Sequence, residues 1–145
     1  RPGAGSPVVR ARYLLDTCVL SEPISRRPDQ TVVARIQDHQ EELATAAPVM
    51  HELWFGCERM PPSRKRDLLA AYLVALSDLP VLSYDGVAAR RHAEERARLE
   101  SIGQTPCFVD GQIAAIAEVN GLVLVTRNVR DFARFCNLEV EDWFG

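Results

Sequence analysis

Four acidic side chains stand where apolar stretches of the chain give way to turns or helices, and they are the residues best suited to chemistry. They are Asp16, Glu52, Asp110 and Asp131. A carboxylate beside buried backbone is costly unless a positive group compensates it. Carboxylate oxygens are the ligands that hard divalent cations such as Mg²⁺ and Mn²⁺ prefer. If folding gathers these acids, the sequence predicts a divalent-metal site.

Each acid also has a purely local alternative. Asp16 follows the apolar run 12–15 and suits a turn or a helix N-cap. Glu52 suits the first turn of a helix, where the helix dipole favours negative charge. Asp110 and Asp131 suit the N-caps of the helices they precede. These local roles explain each acid separately, but they do not explain why all four occur together.

Other residues near the acids bear on the same site. Thr126, Asn128 and Asp131 follow one apolar run, and each could hydrogen bond to an ion or to its water. The spacing does not decide whether Asn128 or Asp131 reaches the centre. Gly56 lies one helical turn after Glu52 on the same face, which predicts that the helix approaches its neighbour closely there.

The elements that must position these residues alternate between short apolar runs and one-sided helical patterns. Strands are predicted at 12–15, 43–47, 81–83, 122–126 and 138–140. Helices are predicted at 31–39, 48–60, 64–76, 84–102 with a break near Gly86, 110–120 and 130–135. This alternation favours βαβ units and a parallel sheet covered on both faces. Ligands of such sheets bind outside the carboxyl ends of the strands, where Asp16 and Thr126 fall.

Composition limits the class of protein. The 145 residues are 47% hydrophobic and 26% charged, which is typical of one globular domain. No apolar run reaches the roughly 20 residues of a membrane span. The net charge of −3 argues weakly against a general nucleic-acid binder, although metal-bound carboxylates would account for part of it. The arginines are bunched, which more often marks a solvated helix face than a phosphate track.

The cysteines and the N-terminus suggest a cytoplasmic location. The four cysteines are widely spaced, with no C-x-x-C pair, and are expected to be reduced and buried. The first residues lack the apolar centre of a secretory signal. Residues 1–11 are therefore expected to be an N-terminal extension or an expression remnant, and residues 12–145 the domain itself.

Taken in order, these segments resemble the PIN domain, and in particular the VapC and FitB-type toxins of bacterial toxin–antitoxin pairs. Each motif is weak alone, but their order and spacing together are a strong signal. The resemblance covers residues 12–145. The matching motifs are Leu15-Asp16-Thr17 with Leu20-Ser21-Glu22-Pro23, Glu52 with Gly56, Asp110 with Ile113-Ala114-Ala115, and the run from Thr126 to Phe132.

The resemblance implies an α/β/α sandwich and a metal-dependent endoribonuclease that hydrolyses RNA. Mg²⁺ or Mn²⁺ would be bound directly by Asp16 and Asp110, with Glu52 and Asp131 acting through water. Supporting roles fall to Thr17, Thr126 and Asn128, and RNA contacts to Arg127 and Arg130. The implied partners are a cognate VapB-like antitoxin and a second copy of the chain in a homodimer.

Two departures and two alternatives accompany the resemblance. Cys18 stands where Asn commonly follows the Asp-Thr pair, and an Asn128 in place of the fourth acid would weaken the second-metal side. Both favour the alternative of a catalytically weak or inactive PIN-like interaction module. A haloacid dehalogenase phosphatase would need an acid where Cys18 stands. The sequence does not choose the RNA that is cleaved.

Overall fold

A central sheet of five parallel strands organises the chain. The computed structural model describes residues 10–145, so most of the predicted N-terminal extension lies outside the described residues. The strands run in the order β3-β2-β1-β4-β5, and all four pairings between neighbours are parallel. They are β1 (Tyr13–Leu15), β2 (Leu43–Ala46), β3 (Val81–Leu82), β4 (Val123–Val125) and β5 (Val140–Glu141).

Helices connect the strands, as a parallel sheet requires. Short 3-10 turns precede some of the elements. The helices are α1 (Thr17–Leu20), α2 (Gln30–Asp38), α3 (Ala47–Glu58), α4 (Arg64–Ala75), α5 (Gly86–Ser101), α6 (Phe108–Val119) and α7 (Val129–Phe132).

The core lies on both faces of the sheet. Every residue of β1 and of β2 is buried, so side chains pointing to either face are covered. On α6 the run 113–117 of Ile and Ala is buried as well, and its small side chains let this helix pack against both α5 and β4. The predicted α/β/α sandwich with a central parallel sheet is confirmed.

The strand order places a topological switch point between β1 and β4. From β1 the chain proceeds outward through β2 and β3, then returns to the other side of β1 to form β4 and β5. Leu15 pairs with Val125 in register, so the next residues, Asp16 and Thr126, leave the sheet side by side. Crevices at such switch points are where open α/β sheets bind ligands.

The predicted elements are confirmed with shifted ends. The strand predicted at 138–140 forms later, at Val140–Glu141, where it pairs with β4. No break interrupts α5, which begins at Gly86 with Asp85 as its N-cap. No helix among the described residues is both long and apolar enough to cross a membrane.

The cysteine prediction is partly wrong. Cys18, Cys57, Cys107 and Cys136 are free thiols, but only Cys57 is fully buried. Cys107 and Cys136 are exposed because they lie in connecting segments outside the core. Wide spacing in sequence excluded a zinc motif, but it carried no information on burial.

Candidate functional site

Asp16 is held at the carboxyl end of β1 by neighbours on both sides. Its backbone N–H donates to the Val125 carbonyl at 3.0 Å, which continues the β1–β4 pairing past the strand end. One carboxylate oxygen, Oδ1, accepts from the Thr17 N–H at 2.8 Å. The other, Oδ2, accepts from the Thr126 hydroxyl at 2.7 Å. The local alternative is therefore also realised, because Asp16 caps α1 while standing at the switch point.

Thr126 orders the two strand ends around the acid. Its buried hydroxyl donates to Asp16 and accepts from the Asn128 N–H at 3.0 Å. On the other side of β1, the Thr45 hydroxyl donates to the Leu15 carbonyl at 2.8 Å. These bonds fix the position and orientation of the Asp16 carboxylate before any ligand binds.

Asp110 lies in the first turn of α6, where the charges of Asp16, Asp131 and Glu52 act on it, and these four acids are referred to as the acidic pocket. The helix begins at Phe108 with Cys107 as its N-cap, so the N-cap alternative for Asp110 is wrong. The pKa of Asp110 is raised to about 6 by partial burial and by the negative charges of three other acids. Those acids are Asp16, Asp131 and Glu52, in that order of effect. Each of the other three carboxylates therefore lies within electrostatic reach of Asp110.

Glu52 and Asp131 lie on helices that follow strands on opposite sides of β1: Glu52 after β2 and Asp131 after β4. Glu52 is exposed in the second turn of α3, which follows β2 and packs against α1 and α6. Its first-turn alternative is therefore wrong. Asp131 is exposed within α7, which is anchored by the buried Phe132, and Asn128 takes the N-cap position without a side-chain bond. The capping alternative for Asp131 is therefore also wrong.

No positive side chain within residues 10–145 forms an ion pair with these acids. Among the described residues, none of the four acids has a Lys, Arg or His nitrogen within 4.0 Å. Arg127 is exposed, and its guanidinium lies over the Phe144 ring at 4.6 Å rather than on a carboxylate. Arg130 is exposed as well. Both arginines stay available at the rim.

The residues fit a hard divalent cation by chemistry, although they do not enclose one tightly. Within residues 10–145, no three His, Cys, Asp or Glu side chains surround a single point closely enough to hold a metal ion. The donor set consists of carboxylate oxygens, two of them on exposed side chains that are free to reorient. Mg²⁺ and Mn²⁺ keep several waters and need few direct protein ligands. The shared negative charge that raises the Asp110 pKa is what such an ion would neutralise.

Two features near the site were missed or misjudged from the sequence. A Cβ on Gly56 would meet nothing within 4 Å, so the predicted close helix approach there is wrong. The close approach occurs at Gly111, where a Cβ would stand 2.3 Å from Nε2 of His92. A glycine directly after Asp110, inside a helical pattern, was the signal that could have identified it.

Cys18 joins the site as a hydrogen-bonding neighbour. Its sulfur lies 3.7 Å from the Thr126 hydroxyl oxygen and accepts from the Arg127 N–H at 3.3 Å. The thiol thus supports the turn after β4, and it leaves the two carboxylate oxygens of Asp16 to their own partners.

Comparison with known proteins gives a consistent result. The family model for the PIN domain matches residues 13–138. The chain is 31% identical to the tRNA(fMet)-specific endonuclease VapC of Shigella flexneri, over 91% of this chain and 98% of that protein.

Solved structures agree with this relationship. DNA-bound VapBC from Salmonella typhimurium superposes with a TM-score of 0.80 at 29% identity, covering 92% of this chain and 98% of that one. A member of the VapBC family of toxin–antitoxin systems from Mycobacterium tuberculosis superposes with a TM-score of 0.68 at 26% identity, covering 94% and 99%.

Proposed function

Because the chain belongs to the PIN domain family, we propose that it is a divalent-metal-dependent endoribonuclease that acts as the toxin of a toxin–antitoxin pair. A relative that spans nearly the same length is a VapC endonuclease. One structural neighbour is a member of a toxin–antitoxin family. The observation in this chain that carries the proposal is the placement of Asp16 at the switch point, bonded to Thr126, where its charge acts on Asp110 together with those of Asp131 and Glu52.

Asp16 and Asp110 are the residues we assign to direct metal binding. They are the two least exposed of the four acids, and Asp16 is already oriented by Thr17 and Thr126. When bound, Mg²⁺ or Mn²⁺ would polarise a phosphoryl oxygen, lower the pKa of a bound water and neutralise developing charge.

The exposed acids and the rim arginines take the remaining roles. Glu52 and Asp131 are exposed and so can hydrogen bond to water. They are therefore suited to orient the attacking water or to accept its proton. We assign the fourth acidic position to Asp131, because its charge acts on Asp110, whereas Asn128 is neutral and its N–H bonds to Thr126. Arg127 and Arg130 would contact the RNA backbone.

A cognate VapB-like antitoxin and a second toxin copy are the expected partners. Apolar side chains of α3 and α4 divide between the core and the surface. Leu73 is buried and Trp54, Leu69 and Tyr72 pack against the core, whereas Phe55 is 53% exposed. Phe55 on α3 and Leu68 and Val74 on α4 therefore remain open to a partner. We retain the cytoplasmic location as a prediction.

The alternative function is an interaction module that has kept the fold but lost most of its activity. It rests on Cys18 in place of the usual Asn and on the undecided fourth acid, Asn128 or Asp131. The structure gives Cys18 a supporting contact rather than a disruptive one, which favours the enzyme.

RNA cleavage by the purified protein, with and without divalent metal, tests the proposal. We expect cleavage of a mixed RNA pool in Mn²⁺ or Mg²⁺, no cleavage in EDTA, and no cleavage by Asp16→Asn in either condition. The same variant should still bind the antitoxin. Cleavage in EDTA by the wild type but not by Asp16→Asn would reject the metal mechanism, whereas equal cleavage by both preparations would mark a contaminating nuclease to be removed before the test is repeated.

A further inference from the structure

The first turn of α6 packs directly on an imidazole ring. Gly111 is buried, and a Cβ built on it would lie 2.3 Å from Nε2 and 2.6 Å from Cδ2 of His92. Real Cβ atoms essentially never approach another atom within 3.0 Å. The residue after Asp110 must therefore be glycine for the helix to lie this close to α5.

His92 is held rigidly in this contact. The residue is only 3% exposed on α5. Its Nδ1 lies 2.7 Å from the Tyr84 hydroxyl oxygen, so the ring cannot rotate without losing that bond. The ring of Phe108, in the same first turn of α6, packs edge-on against it with 4.8 Å between centroids. The imidazole thus touches two residues that bracket Asp110 in sequence.

The contact with Gly111 is made by a polar ring, although an apolar ring would avoid the free-energy cost of burying a nitrogen atom. Within the described residues, Nε2 of His92 is buried and has no hydrogen-bond partner. Burial and the charge of Arg96 lower the pKa of His92, which keeps the ring neutral at physiological pH. An unpaired buried polar atom calls for an explanation beyond packing. A flat, hydrogen-bonded ring supplies a stiffer support than a flexible aliphatic side chain.

We propose that His92 is a positioning residue for the metal pocket: by contacting Gly111 and Phe108 it sets the first turn of α6, and therefore Asp110, at the spacing from Asp16 that the cation requires. This inference rests on the proposed function, because it assigns His92 a role only in that site. His92 does not itself contact the metal or the RNA. Its effect is transmitted through the backbone of α6.

Gly111→Ala tests the contact against a matched control. The added methyl must push α6 from His92, so we expect Mn²⁺ affinity to fall by roughly tenfold, as when outer-shell partners of metal ligands are lost. kcat should fall by up to about 100-fold with little change in KM, since small displacements of reacting groups are costly. Gly86→Ala makes the same chemical change where a Cβ meets nothing within 4 Å, and it should match the wild type. Calorimetric titration of the folded proteins with Mn²⁺ supplies the readout that does not depend on activity.

His92→Ala completes the test and remains informative if Gly111→Ala does not fold. The single variant, checked for folding by circular dichroism, should lose Mn²⁺ affinity although every acid is intact. In the double variant the methyl has room, so adding Gly111→Ala to His92→Ala should cost little further affinity. Wild-type affinity in folded His92→Ala, or an equal loss from Gly111→Ala in both backgrounds, would overturn the positioning role. A wild type that neither binds Mn²⁺ nor cleaves RNA would instead defeat the proposed function.

Discussion

Two groups of carboxylates in this molecule have opposite electrostatics. Glu95 is buried on α5, accepts from Arg98 Nε and from the Cys136 N–H at 3.0 Å, and its pKa is lowered to about 2. Asp110 has no cation beside it, and its pKa is raised to about 6 by burial and by neighbouring acids. The carboxylate of Glu95 is balanced by arginine within the protein, whereas that of Asp110 has no cationic partner among the described residues.

The difference separates structural from functional acids. The Glu95 network includes Arg91, which also contacts Glu118 at 3.2 Å, and it ties α5 to α6 and to the segment after α7. Arg98 and Arg91 balance the charge of Glu95, although Oε2 of Glu118 is buried without a hydrogen-bond partner among the described residues. The acidic pocket keeps its charges unpaired, which costs stability but suits the binding of a cation that we propose. Uncompensated charge, rather than burial alone, therefore distinguishes the candidate active site.

The largest effect should come from Asp110→Asn. Losing a direct ligand removes several kcal/mol of transition-state stabilisation, so RNA cleavage should fall by at least about 1000-fold. Single-turnover cleavage of a defined RNA in Mn²⁺ measures this. Glu95→Gln should leave cleavage nearly unchanged at temperatures where it is folded. If the two variants lost activity equally, the division between structural and functional acids would fail.

The next effect should come from Glu95→Gln, measured as the free energy of unfolding. Removing the carboxylate leaves Arg98 and Arg91 without their partner, beside a buried amide. The free energy of unfolding should fall by about 2 kcal/mol, after allowance for the partial exposure of Arg98. Urea denaturation near neutral pH measures the loss. An unchanged denaturation midpoint would mean that the network contributes nothing net to stability.

The pH dependence of stability should have opposite signs in the two regions. Because the pKa of Asp110 is raised in the folded state, protonation of this group stabilises the metal-free fold. That stabilisation is lost as pH rises from about 4 through 6. Above that range Asp110→Asn should be more stable than the wild type by about 1 kcal/mol, discounted for solvent screening.

The pKa of Glu95 is lowered in the folded state, so its ionised form stabilises the fold above about pH 4.5. That stabilisation is lost as pH falls toward 2. Thermal unfolding in EDTA across this range measures both, and a less stable Asp110→Asn at neutral pH would contradict the unpaired-charge account.

The smallest effect should come from Gly56→Ala. No atom lies within 4 Å of the added methyl, and alanine favours the helical backbone, so stability should rise by about 0.5 kcal/mol. Cleavage should not change. A loss of cleavage would revive the sequence-based expectation that α3 needs a glycine near Glu52.

The sequence predicted the sheet well because β1 and β4 are short apolar runs bounded by polar residues. The position of Asp16 at a strand end followed from that pattern. The sequence could not predict the spacing between α5 and α6. His92 lies on the buried stripe of α5 and Gly111 on that of α6, but the periodicity of one helix does not indicate which residue of the other helix it meets. For the same reason the predicted close contact at Gly56 was wrong, and the one at Gly111 was not foreseen. Which acids are compensated by arginine also depends on tertiary neighbours, so Glu95 gave no signal.

The most direct test is the anomalous scattering of Mn²⁺ in a crystal of the protein grown with that ion. The account predicts a peak between the carboxylates of Asp16 and Asp110, with water bridging toward Glu52 or Asp131, and no peak in an Asp110→Asn crystal grown the same way. Well-ordered carboxylates with no manganese among them, at a concentration that supports RNA cleavage, would contradict it.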